Sequence, residues 1–223
     1  MKLGEQAKFT NNWLVPNSAL SNYSKYSFNF DGVDDYVDIN NTSLSGATNF
    51  SVSLWINRIA DANEEFFSIY AGTSMKFFLE TRVNQRLGVY LGAFIYKNFA
   101  LSTPPDWNHV LVTFDGTQAV DTDRVKLYVN GSEVTGLIGS TSLTSLPTGL
   151  TKIYIGKRNS YFAGNIDEVA IFDTTLSASD VTSIYNGGTP TTISGAVAHW
   201  RMGEEAIYNS STGQWTIPDQ LGS

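Results

Sequence analysis

An all-β fold of two antiparallel sheets stacked as a β-sandwich, with one short helix, is predicted for this chain by three observations. Apolar and polar residues alternate at period two in segment after segment, as in strands with one buried face. Turn residues rich in Gly and Asn separate those segments, and only one stretch carries helix signals at both ends. At 223 residues, with 42% hydrophobic and 13% aromatic residues, the chain is long enough to bury one large core.

Residues 1–26 are polar and turn-rich without a convincing period, and read as an N-terminal arm packed on the outside. Residues 27–188 read as the sandwich, and 189–223 as a linker with a C-terminal strand and tail. In Ser51 to Asn57, Val52, Leu54 and Ile56 fall on one face, and Ser51, Ser53, Trp55 and Asn57 on the other. Strands are then expected at 64–70, 74–82, 86–91, 93–101 and 107–114. Arg124 to Asn130 repeats the scheme with Val125, Leu127 and Val129 inward, and 133–138, 151–156, 165–172 and 196–202 follow. Ala71-Gly72-Thr73-Ser74 and Asp115-Gly116-Thr117 are turns, and Asn130-Gly131 is a strong two-residue hairpin signal. Leu176 to Tyr185 is the helix, capped by Ser177 with Asp180 assisting and ended by Asn186-Gly187-Gly188; it is expected to plug an end of the sandwich.

The formal net charge is −7 and Lys and Arg are scattered, so the electrostatic footprint of a nucleic-acid binder is missing. The chain has no Cys, which excludes disulfides, Cys-ligated zinc and thiol nucleophiles. No run of 18 apolar residues exists, so no membrane insertion is expected. Met1 to Pro16 is interrupted by Lys8, Thr10, Asn11 and Asn12 and lacks a signal-peptide core. An extracellular protein of this sequence is expected to leave the cell by another route, such as lysis, inside a virus particle.

Six motifs carry a family resemblance in their order: Phe28 to Val37, Phe50 to Ile56, Trp107 to Val110, Val125 to Gly131, Ile153 to Gly156, and Gly164 to Phe172. Over roughly residues 27–187 the chain resembles the laminin G-like, concanavalin A-like lectin/glucanase jelly-roll domains, particularly their bacterial and phage branch. The resemblance implies two stacked, curved antiparallel sheets, binding more often than catalysis, and in many relatives one structural Ca²⁺. Val197 to Glu204, followed by Asp219 to Ser223, is similar to what opens such a module, yet here it closes the chain. Either the strands are permuted or exchanged with a neighbouring copy, or a second module is cut short.

Asp31, Asp34, Asp35 and Asp167 are the metal candidates, with Asp35 and Asp167 foremost, because carboxylate oxygens suit Ca²⁺. The competing reading makes the first three turn residues that bond their own backbone. Glucanases of the resembled superfamily carry spaced carboxylates on one strand. Here Asn165 and Val169 occupy the required positions, and on a regular strand Asp167 and Glu168 point to opposite faces. His109 and His199, each beside a Trp in a strand pattern, read either as a base or half of a lyase site with Tyr and Arg partners or, as such a His more often is, as satisfied structural residues of the sheet. The loop Gly156 to Gly164 offers Arg158, Asn159 and Tyr161 as a sugar-binding set, with Phe162 turned inward. Tyr90, Phe94, Tyr96 and Phe99 either line a concave face or bury a contact.

These readings lead to a non-catalytic binding or adhesion module for cell-surface or extracellular carbohydrate, carried on a phage virion as fibre, tail or capsid decoration. The alternative is a structural virion protein that docks onto other virion proteins or copies of itself without glycan binding.

Overall fold

Two antiparallel sheets face one another across one apolar core in the computed structural model, which describes residues 5–8, 14–16, 24–84, 86–98, 101 and 106–221. The strands are β1 (Glu5–Lys8), β2 (Leu14–Pro16), β3 (Tyr26–Asp31), β4 (Tyr36–Ile39), β5 (Asn49–Arg58), β6 (Glu64–Ala71), β7 (Ser74–Arg82), β8 (Arg86–Leu91) and β9 (Phe94–Asn98). They continue as β10 (Trp107–Asp115), β11 (Val125–Val129), β12 (Ser132–Glu133), β13 (Lys152–Ile155) and β14 (Ala163–Phe172). After helix α1 (Ala178–Tyr185) come β15 (Ala198–Trp200), β16 (Met202–Glu205), β17 (Ile207–Asn209) and β18 (Gln214–Ile217). One sheet runs β17-β18-β1-β4-β13-β6-β7-β8-β9 and the other β12-β11-β10-β5-β14-β3-β2, with β15 also on β14. No helix among the described residues is long and apolar enough to cross a membrane.

Period-two alternation builds the core. Val37 and Ile39 of β4, Ile153 and Ile155 of β13, and Phe77 and Leu79 of β7 meet Val52, Leu54 and Ile56 of β5 and Val110 and Val112 of β10, all buried. The Asn130-Gly131 hairpin forms as expected: both residues have positive φ, 49° and 77°, as a type I′ turn between β11 and β12 requires. The strand expected over 133–138 is reduced to β12, and that over 196–202 is split into β15 and β16.

The other face of β5 is also buried, because α1 lies over the outer face of its sheet and not at an end of the sandwich. Val181 of the helix packs with Leu111 and Tyr128, and Tyr185 stacks 5.9 Å from Trp55. Ser177 and Asp180 form the reciprocal capping box that the sequence indicates.

Both ends of the chain take part in the sheets. β1 lies between β4 and β18, and β2 pairs with β3, so strands occur within the stretch read as an arm. At four and three residues they are too short to display a period. The C-terminal segment belongs to its own domain: β15 pairs with β14 at Val169 to Ile171, beyond the point where β3 pairs with Ala163 to Ile166. Trp200, 1% exposed, enters the main core with Met202 and Ile217.

Candidate functional site

The same alternation that buries Val37 and Ile155 turns Tyr36, Asp38, Lys152 and Tyr154 to the outer face of the nine-stranded sheet. Strand register there aligns Asp38, Tyr154, Ser68, Phe78, Tyr90 and Phe94 in one row across six strands. At one end Tyr154 makes edge contacts with Tyr36 (5.7 Å) and Tyr70 (5.4 Å). At the other, Phe78 and Tyr90 stack at 5.2 Å, with Phe94 set against both and 39% exposed.

The loop between β13 and β14 folds over the middle of this row. Gly156 makes the fold-over possible: its φ is +79°, and a Cβ there would lie 2.4 Å from the Phe30 ring. Arg158 places its guanidinium carbon 4.0 Å above the Phe78 ring, and its Nη1 lies 2.6 Å from Glu65 Oε1. The Ser160 amide donates to Glu65 Oε2 at 3.1 Å, and the Ser160 hydroxyl donates to the same oxygen. One carboxylate therefore fixes both the cation and the loop. Tyr161 comes to 6.5 Å from Tyr36, Asn159 is exposed at the tip, and Phe162 is buried against Phe30 and Phe66 as expected. Burial pushes the Glu80 carboxyl up, opposed by Arg82 at 2.6 Å.

Arg158 and Tyr161 thus join a tyrosine surface that the sequence reading did not single out. Its signal was present in the outward phase of Tyr36 and Tyr154 on strands whose inward phase was plain. Tyr90, Phe94 and Tyr96 lie on the same outer face, each next to a core residue, while Phe99 lies outside the described residues.

The acidic candidates divide into two groups. Asp31, Asp34 and Asp35 bring one carboxylate oxygen each within 4.8 Å of one another at the crossing from β3 to β4. Asp31 Oδ1 accepts from the amides of Val33 (2.8 Å) and Asp34 (3.3 Å), and Asp35 Oδ2 accepts from the amide of Asp31 (3.0 Å). Asp167 stands apart, with Glu168 and Glu204.

This second group corrects the expectation that Asp167 and Glu168 face opposite ways. β14 is not regular there: its register with β5 shifts between Asp167 and Ala170, and Glu168 has φ 49°. The bulge brings the two carboxylates together inside the protein. His199 Nε2 lies 2.7 Å from Glu168 Oε2, and Arg201 Nε donates to Glu168 Oε1 at 3.3 Å. The Ser24 hydroxyl donates to Asp167, and the amides of Lys25 and Tyr26 donate to Glu204. Burial pushes the Asp167 carboxyl well up, and the Glu168 charge adds to it.

His109 is wholly buried, with Nε2 2.8 Å from Ser53 Oγ and its ring against those of Trp55 (5.1 Å) and Tyr185 (5.9 Å). Burial lowers its pKa from 6.5 to about 3, so it stays neutral in the folded state and is out of reach as a surface base. A depressed folded pKa contributes stability that is present above pH 6.5 and lost as pH falls through the window down to about 3. Relative to pH 7, urea melts at pH 5 are expected to show a loss of about 2 kcal/mol from this group, and His109→Gln is expected to flatten that slope. An unchanged slope in the variant would assign the acid sensitivity elsewhere.

A cleft of about 630 Å³ lies on the other sheet, between β10, β11, β12 and the start of α1. Thr113, Gln118, Thr122 and Lys126 give it polar walls, and its one aromatic residue, Tyr128, is only 3% exposed. It offers no ring face to a ligand, unlike the outer face of the nine-stranded sheet.

No curated protein matches the sequence. Solved structures share the fold at low identity. An SAP-like pentraxin from Limulus polyphemus superposes with a TM-score of 0.60 at 17% identity, covering 87% of this chain and 95% of that one. Tailspike protein 2 of Escherichia coli O157:H7 bacteriophage CAB120 gives 0.64 at 12% identity over 92% of this chain, which spans only 30% of the tailspike. The carbohydrate-binding module of a Ruminococcus gnavus sialidase, bound to α2,3-sialyllactose, gives 0.54 at 13% identity, covering 71% of this chain and 95% of that one. In sequence, residues 31–182 match one family, which spans both sheets and reaches into α1. The chain belongs to the concanavalin A-like lectin/glucanases superfamily.

Proposed function

We propose that the protein is a non-catalytic carbohydrate-binding module whose ligand lies on the outer face of the nine-stranded sheet. The observation that carries this reading is the set of tyrosines 36, 154 and 161 beside an Arg158 already held in place by Glu65. Aromatic faces take the C–H surface of a sugar, and a fixed planar guanidinium addresses its hydroxyls. The carbohydrate-bound module from Ruminococcus gnavus supports the reading at the level of fold. A non-catalytic role is supported by the placement of the acidic pair on β14: Asp167 and Glu168 are both buried, where a glycosidic bond does not reach.

On a panel of glycans and bacterial polysaccharides, the full chain is expected to bind a subset, and Tyr154→Ala to weaken that binding about tenfold or more at unchanged melting temperature. Silence across the panel from folded protein would sink this reading.

Placement on a virion, as fibre, tail or capsid decoration, is part of the proposal and is supported by the tailspike likeness over 92% of this chain. Asp31, Asp34 and Asp35 are the residues that would hold one structural Ca²⁺, which takes six to eight oxygens and would tie β3 in one sheet to β4 in the other.

An assembly role is the second reading, favoured by β17. It is a terminal strand of its sheet, with Ile207 68% and Tyr208 46% exposed, and such an edge can pair with another chain. Light scattering that finds a stable trimer or ring in the absence of glycan would favour it; a monomer would not.

A further inference from the structure

Lys157 opens the loop that crosses the tyrosine surface, and its ammonium sits among three rings. Nζ lies 4.0 Å from the ring centre of Tyr36, 5.3 Å from Tyr154 and 5.5 Å from Tyr161. All three are within the range of roughly 6 Å at which an aromatic face attracts a cation. The backbone anchors the residue as well: its carbonyl accepts from Ser68 Oγ at 2.7 Å, and it forms a β-bridge with Tyr161. The position of the charge is thus set by the sheet beneath it.

Three other cations of this face are matched by carboxylates. Arg158 meets Glu65 at 2.6 Å, Lys152 meets Asp38 at 2.5 Å, and Arg82 meets Glu80 at 2.6 Å. Among the described residues, no carboxylate pairs with Lys157. Rings attract an ammonium through their quadrupole but carry no net charge, so the cage orients the cation without neutralising it. The net charge of −7 does not oppose an anion here, because charges beyond about 8 Å are largely screened at physiological ionic strength.

We infer that the ligand of this face is an acidic glycan, whose carboxylate meets Lys157 Nζ while a sugar ring lies against the surrounding tyrosines. The inference rests on the carbohydrate-binding reading above and adds the ligand's charge and the residue that selects it. An uncharged sugar would leave the caged ammonium without an anion, whereas a carboxylate would complete it with a charge-assisted hydrogen bond.

The test uses the full chain and matched probes: polygalacturonate, alginate, hyaluronan and polysialic acid, each beside its carboxyl-reduced form. At least one acidic polymer is expected to bind, with affinity falling about tenfold on carboxyl reduction. Lys157→Gln is expected to cost the same factor against the acidic polymer and nothing against the reduced one, and Lys157→Arg to retain binding. Thermal melting of the variants checks that the loop stays folded. Equal binding of acidic and reduced forms, indifferent to Lys157→Gln, would overturn the inference and leave carbohydrate binding standing. Failure of every acidic and neutral glycan would overturn both.

Discussion

A chain ended at Gly195 is expected to lose its cooperative fold. The segment removed carries Trp200, Met202 and Ile217, all buried in the main core, together with the strand that pairs with Val169 to Ile171 and the one that flanks β1. Truncating a buried Trp costs about 3–5 kcal/mol and a buried Met or Ile about 2–5 kcal/mol each. Together these losses match or exceed the roughly 5–15 kcal/mol by which a domain is stable. Glu204 is lost too, and with it the acceptor for the amides of Lys25 and Tyr26. Circular dichroism melts are the direct check: a sharp transition near that of the full chain would show the segment to be dispensable. Trp200→Ala is the milder companion, expected to keep the fold while lowering stability by about 3–5 kcal/mol.

Glu168→Ala is expected to cost about 3–5 kcal/mol, the usual penalty for removing one member of a buried charged group. Glu168 joins β14 to the C-terminal segment through His199 and Arg201, and its side chain is 2% exposed. Without it His199 Nε2 loses its 2.7 Å contact and Arg201 loses the nearer of its two carboxylate neighbours, Glu204 standing at 3.9 Å. Loss of the Glu168 charge also removes one of the causes that push the Asp167 carboxyl up, the larger being burial. Urea denaturation of Glu168→Ala, Arg201→Ala and the double variant measures the coupling. Purely additive losses would mean that the two side chains do not act on each other.

Much of the sandwich was legible because the central strands are long enough to show their period. The strand expected at 74–82 coincides with β7, and those at 64–70 and 107–114 differ from β6 and β10 by one residue. The short terminal strands β1, β2, β17 and β18 were not legible, because three or four residues do not establish an alternation and tertiary pairing decides them. The helix was expected at an end of the sandwich and instead covers the Trp55 face of β5, a placement that was not legible for a different reason. That face lies more than a hundred residues from α1 in the sequence, and alternation says which residues share a face but not what covers it.

At the candidate site, Arg158 and Tyr161 were found from local composition, since a guanidinium and a ring between two glycines is a local pattern. Lys157 and Tyr154 required the register of β13 against β4 and β6, which joins residues far apart in the chain. The Asp167–Glu168 pair was hidden by the bulge. A single residue in the left-handed conformation reversed the facing that a regular strand would impose, and Glu168 carries no turn signature that would announce it.

The pairing of β1 with β18 also sets the order in which the molecule can be completed. Glu5 lies opposite Ile217, so the nine-stranded sheet has no finished form until more than two hundred further residues have left the ribosome. Closing so long a loop is slow, because its entropy is lost before its contacts are gained. Throughout that interval the free edge of β1 is open to any strand that reaches it, including β18 of another copy made on the same message.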